Sequence, residues 1–441
     1  MKLVCRLISI GCRIASVLVV LAAAESRTFA ADLGRVRVGY IGDSLLQGNN
    51  WVTPDGLRIS TSTSREITWA RALYPFFDVD TWVDLADPRH FTGMNAGVSG
   101  DTSAQTLARV AQPFRFHPHI MIVSVGINSI TAGVAAHSIT SDLSAICHYY
   151  LHLGIKVILA NIRPVSTALI PDRDPRFEVL QTVNRWIKAF TETTENAALW
   201  DVATAYDDGH GRPKDGYTAD GIHPVSLGAQ HGALSLVPVL RRLIAAPPKQ
   251  QPKPKNFFPN GRLGGIDGWA GNGVSGYLAH GMYARMKPRV SKTHAVASVR
   301  PNPDTGGGIQ QIRFSAPGGG RDVEVFMLSL AATNIDLSGL AGRWVKARCK
   351  ITLSAWNGWR AILLDAIHMD WGALPPVTDE MVVRDWDLEI ETMPFKLPLA
   401  PAAIAPVLSI FLHADNAKGS GLLEIKQLEL FAVESPTALA D

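Results

Sequence analysis

The chain has 441 residues, more than a single hydrophobic core usually serves, so at least two domains are expected. Apolar residues make up 47% and charged residues 18%, which excludes wholesale disorder. Net charge is only +3, with Lys and Arg scattered, so neither nucleic acid nor an anionic membrane surface is implied as a partner.

In chain order, Lys2, Arg6 and Arg13 form a basic start and Ile14 to Ala24 an apolar stretch. Ala22-Ala23-Ala24 or Thr28-Phe29-Ala30 then offers a small-residue cleavage site. This is the pattern of a signal peptide, expected over residues 1–31, and its apolar run falls short of the roughly 20 residues that span a bilayer. A periplasmic or secreted protein with no membrane span after cleavage follows. Of the 4 cysteines, Cys5 and Cys12 would leave with the signal. Cys147 shares a helical stripe with Leu143, Ile146 and Tyr150, and Cys349 alternates with Val345, Ala347 and Ile351, so both read as buried thiols. No metal-ligand spacing occurs.

Across residues 33–244, short apolar runs alternate with amphipathic stretches, as in a parallel sheet covered on both faces. Strands are expected at Val36 to Ile41, Ile120 to Val125, Val157 to Ala160 and Leu199 to Val202. Helical spacing links Leu107, Val110, Ala111 and Phe114, and again Phe177, Leu180, Asn184 and Ile187. In such α/β sheets ligands collect at the carboxyl ends of strands. Ser44, Gly100 and Asn128 each stand just past a strand or in a strand-to-helix loop.

Residues 245–255 are Pro-rich and charged, a semi-extended linker. Beyond it, over residues 256–435, Gly and Pro turns separate strand-like runs at Val323 to Ala331, Arg343 to Ala355, Ala361 to Met369, Val382 to Glu391, Val407 to Ala414 and Leu422 to Val433. A slip at Lys426-Gln427 predicts a β-bulge. Several such strands in series make an antiparallel β-sandwich or jelly roll. Trp269, Trp356, Trp359 and Trp371 either offer flat faces to sugar rings or fill its core.

A serine hydroxyl needs a base within hydrogen-bond reach and a third group to orient that base. Ser44, His223 and Asp220 are the right types, and Asp220 and His223, three apart, could share one face of a helical turn. Asp220 could also cap a helix. Asp43 would fix the turn that exposes Ser44.

Four blocks appear in order: Gly42-Asp43-Ser44-Leu45, Asn95 to Ser103, Val123-Ser124-Val125-Gly126-Ile127-Asn128, and Asp220-Gly221-Ile222-His223-Pro224. Together they resemble the SGNH (GDSL) hydrolase superfamily, over about Val36 to Leu243. Asn95 to Arg109 is particularly similar to the bacterial periplasmic thioesterase/lysophospholipase branch. The resemblance implies a three-layer α/β/α, flavodoxin-like domain with Ser44, Asp220 and His223 catalytic. It also implies an oxyanion hole made by the Ser44 and Gly100 backbone N–H groups and the Asn128 side chain, Gly97 competing with Gly100, and no cofactor. Ser129 stands where the superfamily has an Asp that braces the loop, so Ser129→Asp is expected to leave activity within severalfold. Asn256 to Gly261, Gly268-Trp269 and the last strand resemble carbohydrate-binding jelly-roll modules.

The function expected is an exported serine esterase that forms an acyl-enzyme on Ser44 and deacylates a glycan or a small acyl ester, with a polysaccharide held by the second domain. A thioesterase or lysophospholipase, an O-acetyltransferase, and a carbohydrate-binding protein with a decayed site stay open beside it.

Overall fold

The computed structural model describes residues 36–47, 51–52, 59–62, 65–79, 81–84, 91–244, 254–287, 294–316, 324–330, 337–357, 359–366, 369–372, 386–392, 394–397, 399, 407–412 and 419–435. Residues 1–31, expected as a signal peptide, and most of residues 245–255, expected as a linker, lie outside them.

Apolar runs form a six-stranded, all-parallel sheet from β1 (Val36–Gly42), β2 (Phe77–Asp78), β3 (Asn95–Gly97), β4 (Ile120–Ser124), β5 (Lys156–Ala160) and β6 (Ala197–Trp200). The order is β6-β5-β4-β1, with β2 and β3 both on the far edge of β1. The chain therefore reverses direction across the sheet between β1 and β4, and such a switch point opens a crevice at the strand ends. Side chains alternate between two buried clusters: Val38, Tyr40, Ile120 and Ile122 face one way, Ile41, Met121 and Val123 the other.

Helices α1 (Ser44–Gln47), α2 (Glu66–Leu73), α3 (Ser103–Ala108), α4 (Ile127–Thr131), α5 (Ala136–His152), α6 (Pro175–Thr193), α7 (Val202–Tyr206) and α8 (Ser226–Leu243) cover both faces. Ile67 and Trp69 of α2 and Leu236 and Leu240 of α8 pack on the first cluster. Leu143, Ile146 and Cys147 of α5 and Leu180 and Val183 of α6 pack on the second. Cys147 and Cys349 are both free and buried, and burial pushes the Cys147 thiol up to about 12. Two expectations shift. The last strand ends at Trp200 because Asp201 caps α7, its side chain accepting the Thr204 N–H at 3.2 Å. The stretch from Leu107 to Phe114 is broken, α3 stopping at Ala108 before a 3-10 turn at Gln112–Phe116 that opens with Pro113.

The C-terminal strands form two mostly antiparallel sheets. The first runs Trp269–Ala270, Met282–Lys287, Glu324–Leu330, Val407–Leu412, Trp359–Ala366 and Met369–Gly372. The second runs Val274–Gly276, His294–Asn302, Gly307–Ala316, Gly419–Val433, Trp344–Asn357 and Phe395–Lys396, and Trp386–Glu391 also pairs with Trp344–Asn357. The slip expected near Lys426 is present: Lys350 pairs with Gln427 but Ile351 with Ile425, leaving Lys426 as the extra residue.

Both sheets are extended by strands from the N-terminal half. Ile59–Ser62 pairs in parallel with Met369–Gly372 and carries Trp51–Val52 on its other side. Thr81–Asp84 pairs in parallel with Phe395–Lys396 and carries Phe91–Gly93. Inward residues of the C-terminal sheets, among them Met282, Ile312, Val345 and Leu430, join the same buried cluster as Val38 and Ile67. An ionic network closes the joint. Arg71 of α2 meets Glu391 at 2.6 Å, Lys346 meets Glu391 at 2.9 Å, and Arg348 bridges Glu391 and Glu429.

Candidate active site

β1 delivers Asp43 and Ser44 to the carboxyl edge of the sheet, where α1 begins. Ser44 Oγ lies 2.9 Å from His223 Nε2, and His223 Nδ1 lies 2.7 Å from Asp220 Oδ2. An ionised carboxylate accepts only, so Nδ1 carries the hydrogen and the Nε2 lone pair faces the hydroxyl. Asp220 and His223 lie in a bend rather than a helical turn, with Gly221 at φ +87°. Asp220 Oδ1 accepts the backbone N–H groups of Ile222 at 3.1 Å and His223 at 2.8 Å. It caps no helix, since the N-cap of α8 is Val225. Burial works to raise the Asp220 pKa, yet the His223 N–H, its imidazole and the Ile222 N–H outweigh it and hold the carboxyl below its usual value. Asp220 is 54% exposed, so these hydrogen bonds, more than long-range charge, keep it in place.

Two further loops reach the same edge. Gly100, at φ +83°, follows β3, and a Cβ there would meet nothing within 4 Å. Its conformation, rather than crowding by the protein, calls for glycine. At Gly97 the requirement is different, because a Cβ would lie 2.4 Å from the Gln47 backbone nitrogen. Asn128 opens α4 after β4, and its Nδ2 donates to the Asp101 carbonyl at 3.0 Å. Arg109 ties these parts together: Nε donates to Asp101 Oδ2 and NH2 to the Gly42 carbonyl, each at 2.6 Å, and NH1 to the Ala96 carbonyl.

Ser129 is fully buried, and its Oγ accepts the Ser103 N–H at 2.9 Å. Ser103 Oγ lies 3.1 Å from Ser129 Oγ and donates to Asp142 Oδ2 at 2.6 Å. An Asp at 129 would thus sit in a buried site with only Ser103 between it and Asp142. This surrounding argues against the expectation that Ser129→Asp leaves activity within severalfold, because like charges raise each other's cost.

Behind Ser44 lies a buried charged group. Asp43 is fully buried, with Oδ1 accepting the Leu45 N–H at 3.0 Å and Oδ2 without a hydrogen-bond partner among the described residues. Burial raises its pKa to about 6, against the Leu45 N–H and the nearby Arg163, His223 and Arg65 charges. Arg163 pairs with Glu66 at 2.8 Å, and Tyr206 donates to Glu66 at 2.7 Å. Sequence reading missed Arg163, Ser103 and Asp142. An arginine inside the apolar run from Val157 to Val165 was a readable sign of buried charge; nothing local marked the other two.

A hydroxyl, an imidazole and a carboxylate joined in line at a sheet switch point define a serine hydrolase arrangement. Residues 40–231 match the GDSL-like Lipase/Acylhydrolase family. The chain is 29% identical over 171 residues to Esterase TesA of Pseudomonas aeruginosa, covering 37% of this chain and 79% of that protein. Similar solved structures include a carbohydrate esterase family 3 from Talaromyces cellulolyticus, 22% identical, covering 48% of this chain and 98% of that one at a TM-score of 0.36. Another is the lipase/acylhydrolase from Enterococcus faecalis, 19% identical, covering 49% and 100% at a TM-score of 0.35. The α/β domain is that of a serine ester hydrolase, similar over this stretch to the GDSL-like lipases and acylhydrolases.

Proposed function

We propose that the protein is an exported esterase that removes acyl groups from a glycan through an acyl-enzyme on Ser44. The Ser44–His223–Asp220 hydrogen-bonded line carries this reading. Ser44 Oγ attacks the ester carbonyl while His223 Nε2 takes its proton, and Asp220 holds the tautomer and the imidazolium that results. The oxyanion is met by the Ser44 and Gly100 backbone N–H groups and the Asn128 amide. His223 returns the proton to the departing alkoxide, and water repeats the sequence to release the acid.

The glycan is supported by Trp269, 66% exposed at the end of the first C-terminal sheet, with its ring centroid 4.9 Å from that of Tyr283. A braced, exposed indole suits the apolar face of a sugar ring, and the second domain reads as a polysaccharide-binding sandwich. The side chains of Trp356, Trp359 and Trp371 lie outside the described residues. Export is supported by the signal pattern of residues 1–31.

The test is hydrolysis of acetylated xylan, p-nitrophenyl esters of rising chain length and a lysophospholipid, with wild type, Ser44→Ala and Trp269→Ala. Acetate release from xylan, abolished by Ser44→Ala and with KM raised by Trp269→Ala, is the expected result. Preference for lysophospholipid would overturn the glycan reading, and full turnover by Ser44→Ala would overturn the acyl-enzyme.

A further inference from the structure

We infer that Asp142, on α5, is a positioning residue for the oxyanion hole, acting through Ser103 and Ser129; the inference rests on the acyl-enzyme reading of Ser44. The Gly100 and Asn128 loops follow different strands of the sheet. They are joined at Asn128–Asp101 and at Ser129–Ser103, and the second joint ends on the Asp142 carboxylate.

The hydrogens in that joint have one consistent arrangement. An ionised carboxylate accepts only, so the Ser103 hydroxyl hydrogen belongs to Asp142. Ser103 Oγ must then accept from the Ser129 hydroxyl, 3.1 Å away. That turns a Ser129 lone pair toward the Ser103 backbone N–H, the contact seen at 2.9 Å. This N–H belongs to the first turn of α3, where the helix itself supplies no acceptor.

Ser103 is 1% exposed and Ser129 0%, so water cannot take over either hydroxyl. Without the anion both hydroxyls can reverse, and a reversed Ser129 hydroxyl would point its hydrogen at the Ser103 N–H. The joint would open beside Asn128 and two residues from Asp101. The energetic leverage is that of a charge-assisted hydrogen bond from a buried hydroxyl to a partly buried carboxylate. Asp142 touches no reacting atom; its effect reaches the transition state through the placement of Asn128 and Gly100.

The experiment uses the full chain and a short-chain p-nitrophenyl ester. Asp142→Asn and Asp142→Ala are expected to lower kcat by about tenfold to a hundredfold, in the range of a displaced oxyanion donor, with KM changed less than about twofold. Ser129→Asp adds a second carboxylate against Ser103 and should lower kcat further. Combining Ser129→Asp with Asp142→Asn moves the single anion along the joint, and its kcat is expected to exceed that of either single variant. A merely structural role would not give that reversal. Should Asp142→Ala fail to fold, Asp142→Asn keeps the side-chain size and carries the test. Wild-type kcat in Asp142→Asn, or a double variant no faster than its faster parent, overturns the inference. Ser44→Ala separates the two claims: turnover without Ser44 removes the acyl-enzyme itself, whereas an inactive Ser44→Ala beside a fully active Asp142→Asn removes only the role of Asp142.

Discussion

Asp43 has a fully buried carboxyl, with one oxygen on the Leu45 N–H and the other without a hydrogen-bond partner among the described residues. Its pKa, about 6 in the fold against an ordinary 3.8, makes the folded state the tighter proton binder between those values. Stability from this group is therefore complete below about pH 4 and falls as pH rises through 6, by about 3 kcal/mol in all. Asp43→Asn removes the titration. Denaturant unfolding of both proteins from pH 4 to 8 should show the variant gaining on wild type by about that amount, whatever the fixed offset between them. A constant difference would mean that Asp43 keeps an ordinary pKa. Beside it, Asn128 illustrates the other use of a polar side chain. Asn128→Ala is expected to lower kcat about a hundredfold with little change in KM, because the lost donor matters most when charge develops on the substrate oxygen.

At the scale of elements, the contact between α2 and the second C-terminal sheet is ionic and dry. Arg71, Lys346 and Arg348 converge on Glu391, which is 7% exposed. Glu391→Ala would leave the cations crowded without their common anion, and the expected loss of unfolding free energy is about 3 to 5 kcal/mol. The surface pair Arg185–Glu178, with side chains 64% and 72% exposed, provides the contrast. Its removal should leave the denaturation midpoint where it is, since exposed pairs are screened and cost side-chain freedom. Equal effects from the two changes would show that the network is not a stabilising joint.

At the scale of the whole molecule, the N-terminal half contributes strands to both C-terminal sheets, and one buried cluster runs through both parts. A chain ending at residue 245 would keep Ser44, Gly100, Asn128, Asp220 and His223 yet leave Ile59–Ser62 and Thr81–Asp84 without their C-terminal partners Met369–Gly372 and Phe395–Lys396. Unpaired strand edges and an uncovered apolar face favour aggregation. Calorimetry of the full chain should give one transition, and the shortened chain should lose solubility or melt well below it. Two separate transitions in the full chain would mean the parts are only tethered. The arrangement also bears on the substrate. Gln47 ends α1 and Trp51 begins a strand of the first C-terminal sheet, so about 14 Å of chain at most separates that sheet from the helix that starts at Ser44.

Much of the hydrolase domain was legible from residue order. Apolar runs such as Val36 to Ile41 and Ile120 to Val125 are long enough and β-branched enough to specify strands locally, and Ser44, His223 and Asp220 sit in short motifs whose chemistry depends on residue type. The C-terminal strands from Glu324 onward were readable by alternation, including the slip at Lys426, whereas those from Trp269 to Ala316 were not picked out. Ile59–Ser62 and Thr81–Asp84 were not, because strands of four residues gain their stability from the partner they pair with, and nothing in their own sequence names Met369–Gly372 or Phe395–Lys396 as that partner. The same reason hid the Ser103–Ser129–Asp142 joint and the Asp43 environment. Chain order determined which residues could react; only tertiary packing decided which distant carboxylates and hydroxyls would hold them, since burial and hydrogen-bond direction exist only once separate segments meet.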